Sequence, residues 1–269
     1  MKTILITGAS AGIGKATAIY LAQNGYNVYG AARRTDKMED LKTYGIKVIS
    51  LDVTKNESIV ACVNQIITDA GSIDILINNA GFGSYGAIED VSMEDARYQL
   101  EVNVFGAMRL AQLVLPKMRE NKFGKIVNIS SVGGKISMAF GGWYHASKFA
   151  IEALSDAMRN EVKPFGIDVI VIEPGGIKSE WGGIAMDSAV RVSGRSAYKD
   201  MVANSEKAFR SMEDKVPGPI LIAKLIKKSI EAKSPKTRYV GGYMAKPMLF
   251  LRKIVSDKIM DKIIMSQVK

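Results

Sequence analysis

The sequence predicts an α/β protein with a doubly wound parallel sheet, helices on both faces and a single domain. Apolar, strand-like runs alternate with helical stretches along most of the chain. A glycine-rich turn joins the first strand to the first helix, and 269 residues with 47% apolar content suffice for one full core. Strict alternation of strands and helices favours right-handed βαβ units, which build such a sheet.

The predicted elements follow one another in that alternating order. The first strand covers residues 2–7, and the first helix covers residues 15–24 and is closed by Gly25. The later strands are predicted at 26–32, 47–51, 73–78, 125–130, 167–173 and 238–241. Between them, helices are predicted at 55–70, 93–120 and 144–163. In such sheets ligands bind beyond the carboxyl ends of the strands.

The turn after the first strand, Gly8-Ala9-Ser10-Ala11-Gly12-Ile13-Gly14, has the composition of a phosphate-binding loop. Glycines permit a tight turn and a close approach to a ligand, and the free N–H groups at a helix start attract a pyrophosphate. A nucleoside triphosphate P-loop is excluded because its spacing requires glycine at position 9 and Ser or Thr at position 16, and both are Ala. The alternative is a purely structural turn.

Tyr144 and Lys148 are four residues apart, so on a helix they share one face. A lysine beside a tyrosine favours the phenolate and lowers the tyrosine pKa toward the range of a general acid/base. The same spacing also occurs on solvated helix faces, so the pair is informative only in context.

The arrangement of sequence motifs around this pair resembles that of the short-chain dehydrogenase/reductase family. Residues 174–181 also resemble the corresponding stretch of bacterial relatives of retinol and hydroxysteroid dehydrogenases. The glycine spacing is Thr-Gly-x-x-x-Gly-Ile-Gly rather than Gly-x-Gly-x-x-Gly. The family motifs occur in the correct order over residues 3–179, about two thirds of the chain, and comprise Gly8 to Gly14, Asn78-Asn79-Ala80-Gly81, Asn103, Ser131 and Tyr144 with Lys148. The resemblance implies a Rossmann-type fold and an oxidoreductase.

The resemblance also implies a mechanism with four catalytic residues. Tyr144 exchanges a proton with the substrate oxygen, and Ser131 hydrogen-bonds the same oxygen. Lys148 lowers the Tyr144 pKa and holds the nicotinamide ribose, while Asn103 keeps a water in line with Lys148. Alternatively, Ser131 only ends a strand and Asn103 only bonds backbone.

The cofactor expected from the resemblance is NADP(H) rather than NAD(H). Ala32 stands where a carboxylate would bind the ribose of NAD, and Arg33 follows it and suits a phosphate. Arg33 and Arg34 could instead be solvated loop charges, and Asp52 could cap a helix rather than contact adenine. The cofactor-binding residues implied are Gly8, Ser10, Gly12, Ile13, Gly14, Arg33, Asp52, Val53, Asn79, Ala80, Gly81, Tyr144, Lys148, Pro174, Gly175, Ile177 and Ser179.

Large apolar residues are the candidates for a substrate site, with a lid at about residues 180–215. They favour a lipophilic ketone, aldehyde or alcohol. The alternatives are that these side chains pack the lid against the body, or that Arg191, Arg195 and Lys199 receive an anionic group. The substrate candidates are Phe82, Met138, Phe140, Trp143, Trp181 and Met186.

Positive charge concentrates near the C-terminus, although the net charge of the whole chain is +10. Residues 221–269 contain twelve Lys or Arg and three Asp or Glu. We divide the chain into a catalytic domain at 1–244 and a basic amphipathic extension at 245–269, with two short helices broken near Ser256. The extension suits an anionic membrane surface, a partner subunit or the domain itself. Aromatic residues are sparse there, which argues against nucleic acid.

Further expectations concern chemistry, location and assembly. Cys62 is the only cysteine and His145 the only histidine, so neither an intrachain disulfide nor a metal site is expected. We expect a cytoplasmic protein without a signal peptide or membrane span. The predicted long helices resemble those that build homodimers and homotetramers in this family. The functional alternative is a non-catalytic NADP(H)-binding sensor or scaffold, for which an acid/base tyrosine has no use.

Overall fold

The computed structural model describes residues 1–266 and residue 268; Gln267 and Lys269 of the predicted extension lie outside this description. Its centre is a seven-stranded parallel sheet in the order β3-β2-β1-β4-β5-β6-β7. The strands are β1 Thr3–Thr7, β2 Asn27–Ala32, β3 Lys47–Ser50, β4 Ile75–Asn78, β5 Gly124–Ile129, β6 Ile167–Pro174 and β7 Arg238–Gly241. The predicted fold class and all predicted strands are therefore confirmed.

Ten α-helices are found in the described residues. They are α1 Gly12–Gln23, α2 Asn56–Ala70, α3 Met93–Leu100, α4 Gly106–Glu120, α5 Gly142–Val162, α6 Glu180–Ser193, α7 Lys199–Arg210, α8 Ile220–Glu231, α9 Ala245–Ile254 and α10 Asp257–Met265. The predicted helix at 93–120 is divided by a π-helical turn at Glu101–Phe105. The sequence prediction assigned no helices at α6, α7 and α8, and it missed the 3-10 turn at Asp36–Tyr44.

Each face of the sheet buries its own apolar core. On one face, Leu5 and Leu76 of the strands join Ile66 of α2 and Leu110 of α4. On the other face, the alternate strand residues pack against apolar side chains of α1 and α8, which include Ala18, Leu21, Ile222 and Ile226. Because successive strand residues point to opposite faces, a continuous apolar run is what a sheet covered on both sides requires.

The strand order reverses at β1, which lies between β2 and β4. From β1 the chain proceeds outward to β2 and β3, and it then returns to β4 on the other side. Ligands in doubly wound sheets bind at this reversal, beyond the carboxyl ends of the strands. The glycine turn follows β1 and the Asn79-Ala80-Gly81 segment follows β4, so both lie at this point.

The basic extension is packed on the domain. Ala245 in α9 and Met260 in α10 are buried. Val268 belongs to a small apolar cluster with Phe140 and with Ala189 of α6. The break between the two helices falls at the predicted position near Ser256.

Candidate active site

The glycine turn is built by a close approach of α1 to the end of β1. Gly8 and Gly12 have φ of +68° and +54°, values that side chains other than glycine rarely adopt. A Cβ atom on Gly14 would lie 2.3 Å from the Gly8 carbonyl oxygen, so only glycine fits there. Helix α1 already begins at Gly12, and the side chain of Ala11 provides no cap. The first N–H groups of α1 are therefore left for a ligand.

Asn79 attaches the loop after β4 to the glycine turn. Its side-chain nitrogen donates to the carbonyl oxygens of Thr7 and Gly8 at 2.9 and 3.3 Å. The Thr7 hydroxyl accepts from the backbone N–H groups of Asn79 and Ala80 at 3.0 and 2.9 Å. These bonds fix the crevice between β1 and β4, which includes the predicted cofactor residue Gly81.

Tyr144 and Lys148 lie on the first turns of α5 and both are buried. The Lys148 ammonium nitrogen lies 5.8 Å from the centre of the Tyr144 ring, and it donates a hydrogen bond to the Ile129 carbonyl oxygen at 2.8 Å. Ser131, two residues after β5, lies close enough to the Tyr144 phenol to affect its pKa, and the Ser131 hydroxyl accepts from the Gly133 N–H at 3.0 Å. The three residues that the sequence predicted to act together are thus brought together.

The pKa of Tyr144 differs from the expectation. Burial raises it to about 12, and the hydrogen bond with Ser131 opposes that rise. Desolvation of the phenol is the larger effect, so the predicted lowering of the Tyr144 pKa by Lys148 stays a prediction. Burial also lowers the pKa of Lys148 to about 8, against the negative charge of Glu152.

Asn103 lies in the π-helical turn and is 2% exposed. Its side-chain oxygen accepts from the Phe82 N–H at 3.0 Å, and its nitrogen donates to the Phe82 carbonyl at 3.0 Å and to the Ser147 hydroxyl at 2.9 Å. The side chain thus connects the loop after β4 with α5. Its predicted task in a water relay stays a prediction. Local π turns often mark functional positions.

Both arginines after β2 lie at the dinucleotide crevice. Arg33 donates to the Tyr98 hydroxyl at 2.6 Å, and Arg34 donates to the Ser10 hydroxyl of the glycine turn at 3.3 Å. Beside them is a cavity of about 590 Å³. Its lining residues are Ser10, Ala11, Gly12, Lys15, Asp36, Lys37, Glu39, Asp40 and Glu180. Arg34 and Lys15 were not among the predicted cofactor residues.

Asp52 follows β3 and forms a local turn. Its side-chain oxygen accepts from the backbone N–H and the hydroxyl of Thr54, at 3.0 and 2.8 Å. Helix α2 begins after Lys55, so Asp52 does not cap that helix. The neighbouring Val53 packs against Gly106 at the start of α4.

The segment after β6, Pro174 to Ser179, is held by the C-terminal part of the chain. Gly175 donates to the Gly241 carbonyl at 2.8 Å, and Gly176 bonds with Tyr243 in both directions at 3.1 and 2.9 Å. Ile177 packs in the core of one face. Ser179 precedes α6, and a Cβ atom placed on Gly12 would lie 3.4 Å from the Cβ of Ser179. The segment therefore faces the glycine turn across the crevice.

The predicted substrate residues have different environments. Trp181 lies over Tyr144 with ring centres 4.8 Å apart, whereas Phe82 packs with Tyr98 at 5.5 Å. Phe140 is buried against Tyr198 of the lid region, and Met186 joins the same cluster.

Of the two other predicted substrate residues, one is exposed and one is partly buried, and the sequence prediction missed a further aromatic residue. Met138 is exposed, and the Trp143 indole nitrogen is buried and hydrogen-bonds with none of the described residues. Tyr85, which the sequence prediction missed, contacts both Tyr144 and Trp181, with ring centres 5.7 and 5.9 Å apart.

The described residues contain no group of three or more His, Cys, Asp or Glu side chains placed to hold a metal ion. His145 is buried, and its Nδ1 lies 3.0 Å from the Gly133 carbonyl oxygen. Within the same residues no helix is long and apolar enough to cross a bilayer.

Known proteins are similar to this chain in sequence and fold. The family model described as short chain dehydrogenase matches residues 2–186. The 3-ketodihydrosphingosine reductase of Bacteroides thetaiotaomicron is 37% identical over 242 residues, covering 90% of this chain and 88% of that protein. The NADPH-dependent 3-dehydrocapnine reductase of Ornithobacterium rhinotracheale is 34% identical and covers 100% and 98% of the two chains.

A solved structure is also similar to this chain in both fold and sequence. The crystal structure of a short-chain dehydrogenase from Streptomyces avermitilis superimposes with a TM-score of 0.83 at 33% identity, over 97% of this chain and 96% of that chain. The fold and the site define an oxidoreductase built on a Rossmann-type sheet. The chain belongs to the short-chain dehydrogenase/reductase family.

Proposed function

We propose that this protein transfers hydride between NADP(H) and a carbonyl or alcohol group of a lipophilic small molecule. The observation that carries the proposal is the grouping of Ser131, Tyr144 and Lys148 at the carboxyl edge of the sheet, next to a glycine turn that fits a dinucleotide. A protein that only senses or scaffolds has no use for a buried tyrosine with this arrangement.

The chain's residues fit a dinucleotide at that edge. Gly14 leaves the space that a Cβ would occupy, and the start of α1 offers free N–H groups to a pyrophosphate. Arg34 beside Ser10 and Arg33 beside Tyr98 are positioned for a 2′-phosphate, which supports NADP over NAD. Two relatives agree with this: one is named as NADPH-dependent, and a short-chain dehydrogenase from Sphingobium yanoikuyae, 31% identical, was solved with NADPH.

In the proposed mechanism the bound cofactor supplies the hydride. Tyr144 donates its proton to the carbonyl oxygen during reduction, and its raised pKa keeps that proton in place until the oxygen gains charge. Ser131 donates a hydrogen bond to the same oxygen. The Lys148 ammonium then stabilises the phenolate, and Asn103 holds the loop that faces it. Oxidation of an alcohol follows the reverse path.

A lipophilic substrate is supported by the apolar surroundings of Tyr144. Trp181 and Tyr85 contact its ring, and Phe140 and Met186 lie in the adjoining lid cluster. The relatives named above are reductases of a keto compound and a dehydro compound. The test is a panel of hydrophobic and hydrophilic carbonyls with NADPH and NADH. We expect turnover of hydrophobic carbonyls with NADPH; binding of NADPH without turnover of any carbonyl would favour the sensor or scaffold alternative.

We also propose a homodimer or homotetramer built through the long helices. Phe105 precedes α4 and is 57% exposed, and Phe149 and Leu154 on α5 are 43% and 39% exposed. Apolar side chains of this size in one region favour a subunit interface. Light scattering after size exclusion should show a dimer or tetramer that Phe149→Glu with Leu154→Glu converts to monomers. A monomeric wild type would contradict the proposal.

The third proposed partner is an anionic membrane surface. The outer side of α9 exposes Phe250 and Ile254, by 65% and 63%, next to Lys246 and Lys253. An apolar stripe flanked by lysines suits anionic lipid, which attracts each lysine by about 1 kcal/mol.

Vesicles with about 30 mol % phosphatidylserine should bind the wild type better than pure phosphatidylcholine does. Lys246→Glu with Lys253→Glu should abolish the difference. The control, Lys233→Glu with Lys236→Glu, changes the same charge at exposed positions before β7, at the amino edge of the sheet. An equal loss of vesicle binding in both double variants, or no vesicle binding by the wild type, would refute the membrane proposal.

A further inference from the structure

A buried ionic cluster adjoins Lys148 on α5. Glu152 is one helical turn beyond Lys148 and is 3% exposed, and Glu173 near the end of β6 is 2% exposed. Arg238 at the start of β7 reaches both carboxylates. Residues four apart on a helix share one face, so Glu152 and Lys148 are neighbours. Charged residues are rarely buried to this extent unless they are paired.

The ion pairs in the cluster are unevenly distributed, and Glu152 makes closer ion pairs than Glu173 does. One oxygen of Glu152 lies 2.9 Å from the Lys135 ammonium and 2.9 Å from the Arg238 guanidinium. Arg238 also bonds Asp156 at 2.8 Å, whereas Glu173 lies 3.4 Å from it. Lys135 and Arg238 therefore hold the Glu152 carboxylate in one place.

Glycine at position 134 brings the cluster against the catalytic lysine. A Cβ on Gly134 would lie 2.6 Å from the Ser130 hydroxyl, 3.0 Å from Glu152 Cγ and 3.1 Å from the Lys148 carbonyl oxygen. The segment after β5, which carries Ser131, thus packs directly on the helical turn that joins Lys148 to Glu152. The same segment continues to Lys135, so the site and the cluster share their framework.

We propose that Glu152 is a positioning residue of the reaction: its fixed carboxylate keeps Lys148 in the charged form. This inference rests on the proposed function, in which the Lys148 ammonium stabilises the Tyr144 phenolate. Glu152 is suited to the task because Lys148 is buried and burial favours the neutral amine. Also near the Lys148 ammonium nitrogen are the Tyr144 ring, whose centre is 5.8 Å away, and the Ile129 carbonyl oxygen at 2.8 Å; the cations Lys135 and Arg238 lie on the Glu152 carboxylate.

Glu173 cannot replace Glu152 in this task. Burial and the charge of Glu152 raise the pKa of Glu173, while Arg238 and Lys135 oppose that rise. Two adjacent buried carboxylates resist ionising together, and burial favours the protonated form of Glu173. Asp156 is a half-exposed partner of Arg238 and Arg159. Glu152→Gln and Glu173→Gln are therefore matched, isosteric changes in one cluster with different expected effects.

The test is a titration of Lys148 by NMR in protein with isotope-labelled lysine, which needs no turnover. Loss of the signal in Lys148→Met assigns it. Glu152→Gln should lower the Lys148 protonation constant about tenfold, and Glu173→Gln should leave it unchanged. Glu152→Asp keeps the charge at a greater distance and should fall between the wild type and Glu152→Gln. An unchanged Lys148 titration in Glu152→Gln, or an equal shift in Glu173→Gln, would overturn the proposal.

Kinetics supply a second readout that a purely structural role does not move. The alkaline limb of kcat/KM should move to lower pH by about one unit in Glu152→Gln and stay in place in Glu173→Gln. If Glu152→Gln does not fold, the smaller shift in Glu152→Asp decides. A uniform loss of kcat/KM without movement of the limb would refute the inference. If the Lys148 titration shifts in Glu152→Gln but the wild type turns over no carbonyl, the positioning role of Glu152 is supported and the proposed reaction is rejected.

Discussion

Gly14→Ala tests the dinucleotide loop, because the cost of the added methyl group follows from the structure. Its Cβ would lie 2.3 Å from the Gly8 carbonyl oxygen and 2.4 Å from the Asn79 side-chain nitrogen. That nitrogen donates to the Thr7 and Gly8 carbonyls, so relief of the clash costs about 1 kcal/mol for each bond lost. Strain from overpacking adds about 1 to 3 kcal/mol.

Alanine is otherwise the better helix former, by about 0.5 to 1 kcal/mol. The free energy of unfolding should therefore fall by about 2 to 4.5 kcal/mol in Gly14→Ala, measured by urea denaturation. NADPH affinity, measured by fluorescence titration, should fall at least about tenfold, because a shift of the turn moves the N–H groups of α1 away from a pyrophosphate.

The matched control is Gly183→Ala in α6, where a Cβ would meet nothing within 4 Å. That variant should gain about 0.5 to 1 kcal/mol of stability and keep its NADPH affinity. Wild-type stability and NADPH affinity in Gly14→Ala would show that the turn is not packed as described and would refute the reasoning.

Three further predictions concern separate parts of the molecule. Arg34→Ala should raise the KM for NADPH at least about tenfold and leave that for NADH within about twofold, because a charge-assisted bond to the 2′-phosphate is lost; equal effects on both cofactors would contradict this. Cys62 is buried and burial raises its pKa to about 12, so a thiol reagent should label it only after unfolding. Leu110→Ala should lower the free energy of unfolding by about 2 to 5 kcal/mol, since Leu110 is completely buried between α4 and the sheet.

The sequence predicted the sheet well because its strands are buried on both faces and appear as uninterrupted apolar runs. Ser131, Tyr144 and Lys148 were predicted to act together from the resemblance to the family, and the structure brings them to the same edge of the sheet. Helix α8 was missed although Ile222, Ile226 and Ile230 have helical spacing and face the core.

Other features depend on contacts between distant parts of the chain, which a single sequence does not show. The π-helical turn at Asn103 has the same apolar spacing as an ordinary helix over so short a length. The raised Tyr144 pKa arises from burial that includes Trp181, and the Glu152 cluster requires β7 to pair beside β6. The direction of the Tyr144 pKa shift therefore could not be predicted from the sequence alone.

The most direct test of the proposed reaction compares Tyr144→Phe with Tyr85→Phe, a change at a neighbouring, partly buried tyrosine. Both changes remove one ring hydroxyl, and the two rings are in contact. With NADPH and a hydrophobic carbonyl that the wild type reduces, Tyr144→Phe should lower kcat by about 10² to 10⁴ without changing the Kd for NADPH. Tyr85→Phe should stay within about fivefold of the wild type. Unchanged turnover in Tyr144→Phe would contradict the assignment of Tyr144 as the proton donor.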